Sequence, residues 1–453
     1  MQKLSNKFNQ INKYLVAALI LTIPLYQKFP FIGVPGTFVS IRMEDFLVLL
    51  SVTVFIIINF KNVVRYAENP IFKSVFLFFA LASFSLLSAI LITKTISPTI
   101  GVIHLIRRVE YMSMLFIGYS AIFNNRNNLS FYVKLILIVV FLSFTYGLGQ
   151  RYFEWPIIIT QNEEYSKGIA LRFVEGGHIN STFAGHYDLA TYLVMVMPLI
   201  LNIFFFIKRG VGKYIFFVAY LCGLWLLVNS ASRIAMVSLL LSASLALLLT
   251  KKFVKAIPIL ILSILFIGFS SNLIVRYERL FTIVGDEAKR IFSYQITSVY
   301  AQGEDGLERR ESALPTPTPL PIFEDRSTSI RLNVEWPRAI RAFVKNPLYG
   351  TGYSSITLAT DNDYLRALGE TGLLGFISFA LVIAWLVLNF IKIYRESFGF
   401  EKVFLSGIFG SLFGVLLNAM FIDVFEASKI ALSFWLFMGM ALALKVKKYE
   451  KTI

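Results

Sequence analysis

Apolar residues run along this chain in long unbroken stretches separated by short polar links. A stretch of about 20 apolar residues, wound as a helix, matches the roughly 30 Å hydrocarbon core of a bilayer. About twelve such spans are predicted, near residues 14–34, 45–60, 71–93, 100–123, 131–149, 187–207, 212–229, 232–250, 256–274, 364–391, 403–422 and 429–446. Two longer polar gaps interrupt them, Gln150 to His186 and Val275 to Asp363. The expected fold class is all-α, a polytopic transmembrane helical bundle with a large extracytoplasmic loop. A β-barrel is excluded because its strands alternate apolar and polar residues. The expected divisions are 1–274 (spans one to nine, with the outer loop 150–186), 275–363 (the large loop with an amphipathic helix) and 364–453 (spans ten to twelve).

Composition sharpens this. Of 453 residues, 57% are hydrophobic and only 15% charged, against about 25% charged in soluble domains. The net charge of +16 suggests nucleic acid only until the charges are placed. Lys3, Lys7 and Lys13 precede span one. Lys61 and Arg65, Arg126 and Lys134, Lys208 and Arg209, Lys251 and Lys252, and Lys392 and Arg395 fill the even-numbered links; Lys445, Lys447 and Lys448 end the chain. Basic links stay cytoplasmic, so both termini are expected inside and both long gaps outside. The single cysteine, Cys222, leaves no disulfide framework. The first apolar run lacks a small-residue cleavage signal and is read as a retained helix. Leu314 to Pro321 (LPTPTPLP) is an extended spacer.

Candidate chemistry concentrates between Ser329 and Gly375. Arg331, Arg338 and Arg341 share a face if helical, beside an apolar stripe of Trp336, Ile340 and Phe343 suited to a membrane surface. They either clamp a diphosphate or snorkel toward headgroups. Asn346 to Gly352 (NPLYGTG) marks a tight turn with close backbone approach. In Thr360-Asp-Asn-Asp, Thr360 or Asp361 caps the next helix, and a carboxylate there can also accept a proton from a sugar hydroxyl. Glu370 lies deeper, where a carboxylate needs a partner; it holds an arginine or bonds within the bundle. Arg233, at the turn between spans seven and eight, is a binding candidate or a snorkelling helix end. Arg276 and Arg279 leave span nine on the same face. Arg172 precedes His178 and His186, where an imidazole can act as a base; no carboxylate completes a zinc pattern with them. His104, Arg107, Arg108 and Glu110 read as a structural ion cluster.

Four places in the chain resemble the O-antigen polymerase and O-antigen ligase family of membrane glycosyltransferases. They are Ser232-Arg233; Arg172 with Ser181-Thr-Phe and His186-x-Asp-Leu-Ala; Arg331 to Trp336 with Asn346 to Gly352; and Asp361-Asn-x-Tyr-Leu with Glu370-x-Gly372. The resemblance implies a GT-C-like fold in the bacterial cytoplasmic membrane. It also implies a donor oligosaccharide on a polyprenyl diphosphate such as undecaprenyl diphosphate, a glycan acceptor, no cofactor and no metal. The family's ligases usually carry a histidine where Asp361 stands, which favours polymerase over ligase here. Carried over, Asp361, His186 and Arg233 become the expected catalytic residues. Arg172, Arg276, Arg279, Arg331, Arg338, Arg341, Asn362 and Glu370 become the expected substrate-binding set. A transporter of small anions or lipid-linked sugars is the alternative of another class; it calls for mid-membrane charges and paired repeats, and no repeat is evident.

Overall fold

In the computed structural model, residues 2–27, 29–33, 40–60, 69–158, 172–174, 177–266, 329–357 and 359–445 are described. They form thirteen α-helices: α1 (Gln2–Leu25), α2 (Met43–Asn59), α3 (Pro70–Leu91), α4 (Pro98–Asn124), α5 (Asn128–Tyr152), α6 (His186–Phe206), α7 (Val211–Asn229), α8 (Arg233–Leu249), α9 (Phe253–Leu265), α10 (Trp336–Lys345), α11 (Asp363–Glu396), α12 (Gly399–Asn418) and α13 (Ser428–Leu442). A π-helical turn, Arg331–Glu335, leads into α10. Two short strands, β1 (Pro30–Gly33) and β2 (Ser40–Arg42), pair antiparallel between α1 and α2. The first span is therefore shorter at its far end than the pattern predicts, and a small hairpin departs from the all-α expectation. Phe29, Phe31 and Ile32 carry the apolar signal past the helix end in extended chain.

Six of these helices, α3, α5, α6, α7, α11 and α12, are long and apolar enough to cross a membrane. Large apolar side chains such as Leu49, Ile57, Phe84, Leu87 and Ile138 face outward, which water would penalise and lipid does not. The chain is an integral membrane protein. Helix α6 is apolar all round and buried along almost its whole length, as a central helix should be. It packs along α12, while α13 packs along α4 and α11 along α3. Close approach of α4 and α13 depends on Gly118 and Gly439, where an added Cβ would strike the backbone of the facing helix.

Contacts between helix ends define two faces. At one, Thr182 Oγ1 donates to Pro24 O at 2.8 Å, Ile179 N to Asn229 O at 3.2 Å, and Asn346 Nδ2 to Ser88 Oγ at 3.1 Å. At the other, Arg126 pairs with Glu401 at 3.4 Å and donates to Lys445 O, and Asn202 donates to Val403 O at 2.9 Å. Lys13, Arg126, Lys251, Lys402 and Lys445 all belong to this second, basic end.

Helix α11 is not continuous. Gly372 sits at φ 65°, ψ −172° and breaks it after two turns. The turn 347–352 fills the break: Thr351 N bonds Gly369 O (3.0 Å), Gly352 N bonds Glu370 O (2.8 Å), and Leu373 N bonds Pro347 O (2.8 Å). The backbone groups that a kink would orphan in lipid are thus satisfied by another segment. Gly350 (φ 74°) completes the lock, since a Cβ there would lie 2.5 Å from Glu370.

Two outcomes test this packing. Gly439→Leu should prevent docking of α13 on α4, seen as loss of a monodisperse peak in detergent chromatography. Gly372→Ala places a Cβ 2.5 Å from Gly350 N and Leu348 O in a conformation that costs non-glycine residues about 1–3 kcal/mol. Its thermal unfolding midpoint in detergent should fall by several degrees.

Candidate functional site

The polar rim at the first end is assembled from three segments distant in sequence. Asp423, in the link between α12 and α13, accepts hydrogen bonds from Thr360 N at 2.8 Å and Asn362 N at 3.3 Å. Asp363 answers from the other side, accepting from Val424 N (2.6 Å) and Phe425 N (3.1 Å), while its own N–H reaches Ala419 O. These bonds stitch 360–363 to 419–425 and hold Asp361 between its clamped neighbours in the left-handed region, φ 48°. The cap of α11 is Asn362, whose side chain accepts from Tyr364 N and Leu365 N. That corrects the expectation of Thr360 or Asp361: the backbone turns away at Asp361 before the helix begins, so its carboxylate points elsewhere.

It points at Arg331. Nε and Nη2 of that guanidinium both donate to Asp361 Oδ2, at 3.0 and 2.7 Å. The side chains keep only 12% and 23% of their exposure, so the pair is largely withdrawn from water. Burial, joined by the charge of Asp423, raises the Asp361 carboxyl above its ordinary range; Arg331 opposes the shift. Arg331 also bonds the Tyr187 side chain. Tyr187 stacks near His186, with ring centroids 4.1 Å apart, and His186 faces His178 at 4.5 Å. Arg331, Asp361, Tyr187, His186 and His178 therefore form one neighbourhood.

Below the rim lies a second layer of charge. Arg366 donates to Asp423 Oδ2 at 2.9 Å and to Ile356 O at 2.8 Å, and its Nε lies 3.5 Å from Glu370 Oε1. Glu370 also accepts from Ser354 N at 3.1 Å. Arg108 pairs with Glu426, donates to Phe425 O, and lies 5.6 Å from the Tyr353 ring centre. A cavity of about 60 Å³ adjoins this layer, lined by Arg108, Arg366 and Glu370 above and Phe78, Phe379 and Trp435 below. Arg108, expected to cluster with His104, Arg107 and Glu110 on its own helix, also makes this cross-bundle pair.

Arg233 opens α8 behind the cap Ser232 and is half-buried. The preceding turn touches the His178 segment through Ile179 and Asn229. Arg172 pairs with Glu154 at 2.8 Å on an exposed surface, 77% and 73% open. Arg338 is half-buried and Arg341 exposed on α10. The π turn between Arg331 and α10 changes the helical phase, so the three arginines do not present the single face expected of a regular helix. Arg276 and Arg279 lie outside the described residues. Sequence reasoning missed Arg366, Asp423, Glu426, Tyr187 and Glu335. Arg366 and Glu370, four apart in an apolar helix, carried a readable signal; Asp423 carried none.

No curated protein matches the chain. Residues 217–380 match the family described as O-Antigen ligase. That stretch holds Arg233, Arg331, Asp361, Arg366 and Glu370, while His186 and Asp423 lie outside it. Residues 217–380, which include both members of the Arg331–Asp361 pair, are thus similar to that family.

Proposed function

We propose that the protein transfers a saccharide from a polyprenyl diphosphate carrier to a glycan acceptor at the outer face of the membrane. The observation that carries this reading is the withdrawn Arg331–Asp361 pair, set in a rim that also holds Tyr187 and His186. The family match supports glycan transfer. The basic links gathered at the opposite end support an outward-facing rim. Outside the cell no nucleotide sugar is supplied, so an activated sugar has to arrive on a lipid anchor.

In this reading the acceptor hydroxyl attacks the anomeric carbon, and the bond from that carbon to phosphate breaks. The electron pair leaves on the lipid diphosphate. Arg331, joined in this reading by Arg233, stabilises the charge that develops on the phosphate oxygens. Asp361 holds the Arg331 fork in place until the diphosphate takes a share of it. Polymerisation of repeat units is favoured over ligation by the carboxylate at position 361, where ligases of the family usually have histidine. The charges of the rim network sit toward one end of the bundle, which disfavours a transport path through it.

The test is a proteoliposome assay with lipid-linked oligosaccharide. Products of stepwise increasing length mean polymerase; a single transfer to another acceptor means ligase. Arg331→Ala should lower kcat by about 10²–10³, the cost of one aimed donor to a developing oxyanion. Arg331→Lys should restore little, because a point charge does not replace the fork.

The clamp gives a second expected outcome. Asp423→Ala uncouples Thr360 and Asn362 and removes a charge partner from Arg366. Breaking a buried pair from one side costs about 3–5 kcal/mol, so the variant should unfold at markedly lower temperature. Asp423→Asn keeps an acceptor oxygen and should fall between it and wild type in both melting and activity.

A further inference from the structure

The described rim contains a carboxylate that the transfer reaction has not yet used. Glu335 ends the π turn that begins at Arg331. Its Oε2 is enclosed and has no hydrogen-bond partner. Two more enclosed polar atoms without partners follow immediately, Trp336 Nε1 and Arg338 Nη1. Buried polar atoms are rarely left unpaired, and each exception calls for an explanation. Here one acceptor and two donors stand within four residues, beside the Arg331–Asp361 pair. The Trp336 ring lies 6.4 Å from that of Phe421, in the same link that carries Asp423. A carboxylate, an indole and a guanidinium together suit a sugar, which offers hydroxyls to the polar atoms and a C–H face to the ring.

We propose that Glu335, Trp336 and Arg338 form the acceptor-sugar subsite, and that Glu335 Oε2 takes the proton from the attacking hydroxyl. This rests on the glycan-transfer reading above. The step balances: the acceptor O–H bond breaks and its proton passes to Glu335, the oxygen bonds the anomeric carbon, and the lipid diphosphate departs with the electron pair of the broken C–O bond. Glu335 returns the proton to water before the next cycle. Asp361 is unsuited to this role because its Oδ2 is bound by both arms of Arg331. The groups facing Glu335 are Asp361, Arg331, Asp423 and Arg338. Burial, then the charge of Asp361, pushes its carboxyl up to about 7, with Arg331 and Arg338 opposing. A base with that value is half-ionised at neutral pH, where general-base catalysis works best. Its active form is the ionised one, so the rate rises with pH through about 7 and levels above.

The experiment uses the full chain in proteoliposomes. The probe is the polyprenyl-diphosphate-linked saccharide fraction extracted from cells lacking this protein. Wild type should consume it, with a rising limb in kcat near pH 7. Glu335→Gln should lose that limb and about 10²–10⁴ of kcat, with donor KM unchanged. Glu335→Asp should keep part of the rate and move the limb to lower pH, which a purely structural side chain would not do. Trp336→Ala should raise acceptor KM more than it lowers kcat. Equal rates and an unmoved limb in both Glu335 variants overturn the assignment while leaving glycan transfer standing. If wild type leaves the saccharide untouched, the transfer reading fails first and the subsite falls with it. Chromatographic profiles separate misfolded variants from inactive ones, and Glu335→Asp carries the test if Glu335→Gln does not fold.

Discussion

One carboxylate, Asp423, holds the rim together. It binds two backbone N–H groups on either side of Asp361 and the guanidinium of Arg366 at once. In a membrane protein a charge away from water survives only with partners, and here each partner is itself held. Arg366 is also bound by Glu370, Glu370 takes Ser354 N, and Arg108 pairs with Glu426 on the same link. Removing any one leaves an unpaired charge among apolar helices, so the network behaves as a unit. Its geometric product is a loop in which Asp361 is turned out of the helix and toward Arg331.

The glycine lock around Gly372 serves the same end. A straight α11 would have continued its own hydrogen bonds and had no use for the turn 347–352. Breaking it exposes carbonyls and N–H groups that this turn satisfies. Because α10 leads directly into that turn, the position of α10 is tied to α11. Arg331 and Asp361 approach from opposite ends of this tied segment. Two layers result: an inner one whose charges pair with one another, and an outer one where Glu335, Trp336 and Arg338 retain unpartnered atoms. A rigid support beneath a rim with unused hydrogen-bonding capacity is what a binding site requires.

Much of this was legible in the chain, and for identifiable reasons. Membrane-spanning length is a local property: an apolar run from Pro70 to Leu91 or His186 to Phe206 states its own role. Basic links announce a common end because each obeys the same rule independently. Arg331, Asp361 and Glu370 stood out because charges are sparse in such a sequence. The tight turn at 346–352 was visible in its glycines. Reading failed where a local signal had two outcomes. Thr360, Asp361 and Asn362 are all good caps, and only the bonds from Asp423 decide that Asn362 does the capping.

By itself, then, the sequence determined a helical membrane protein, six of whose expected spans are helices long and apolar enough to cross a membrane, and a polar segment dense in arginine and carboxylate. Only the tertiary structure decided which charges meet. Asp423 sits 57 residues from Arg366 and 63 from Thr360, and nothing in its own neighbourhood marks it out. The physical reason is the difference between two kinds of interaction. Burial of an apolar run depends on the composition of that run alone. An ion pair depends on which helix ends the packed bundle brings within about 3 Å of each other, and that is a property of the whole chain.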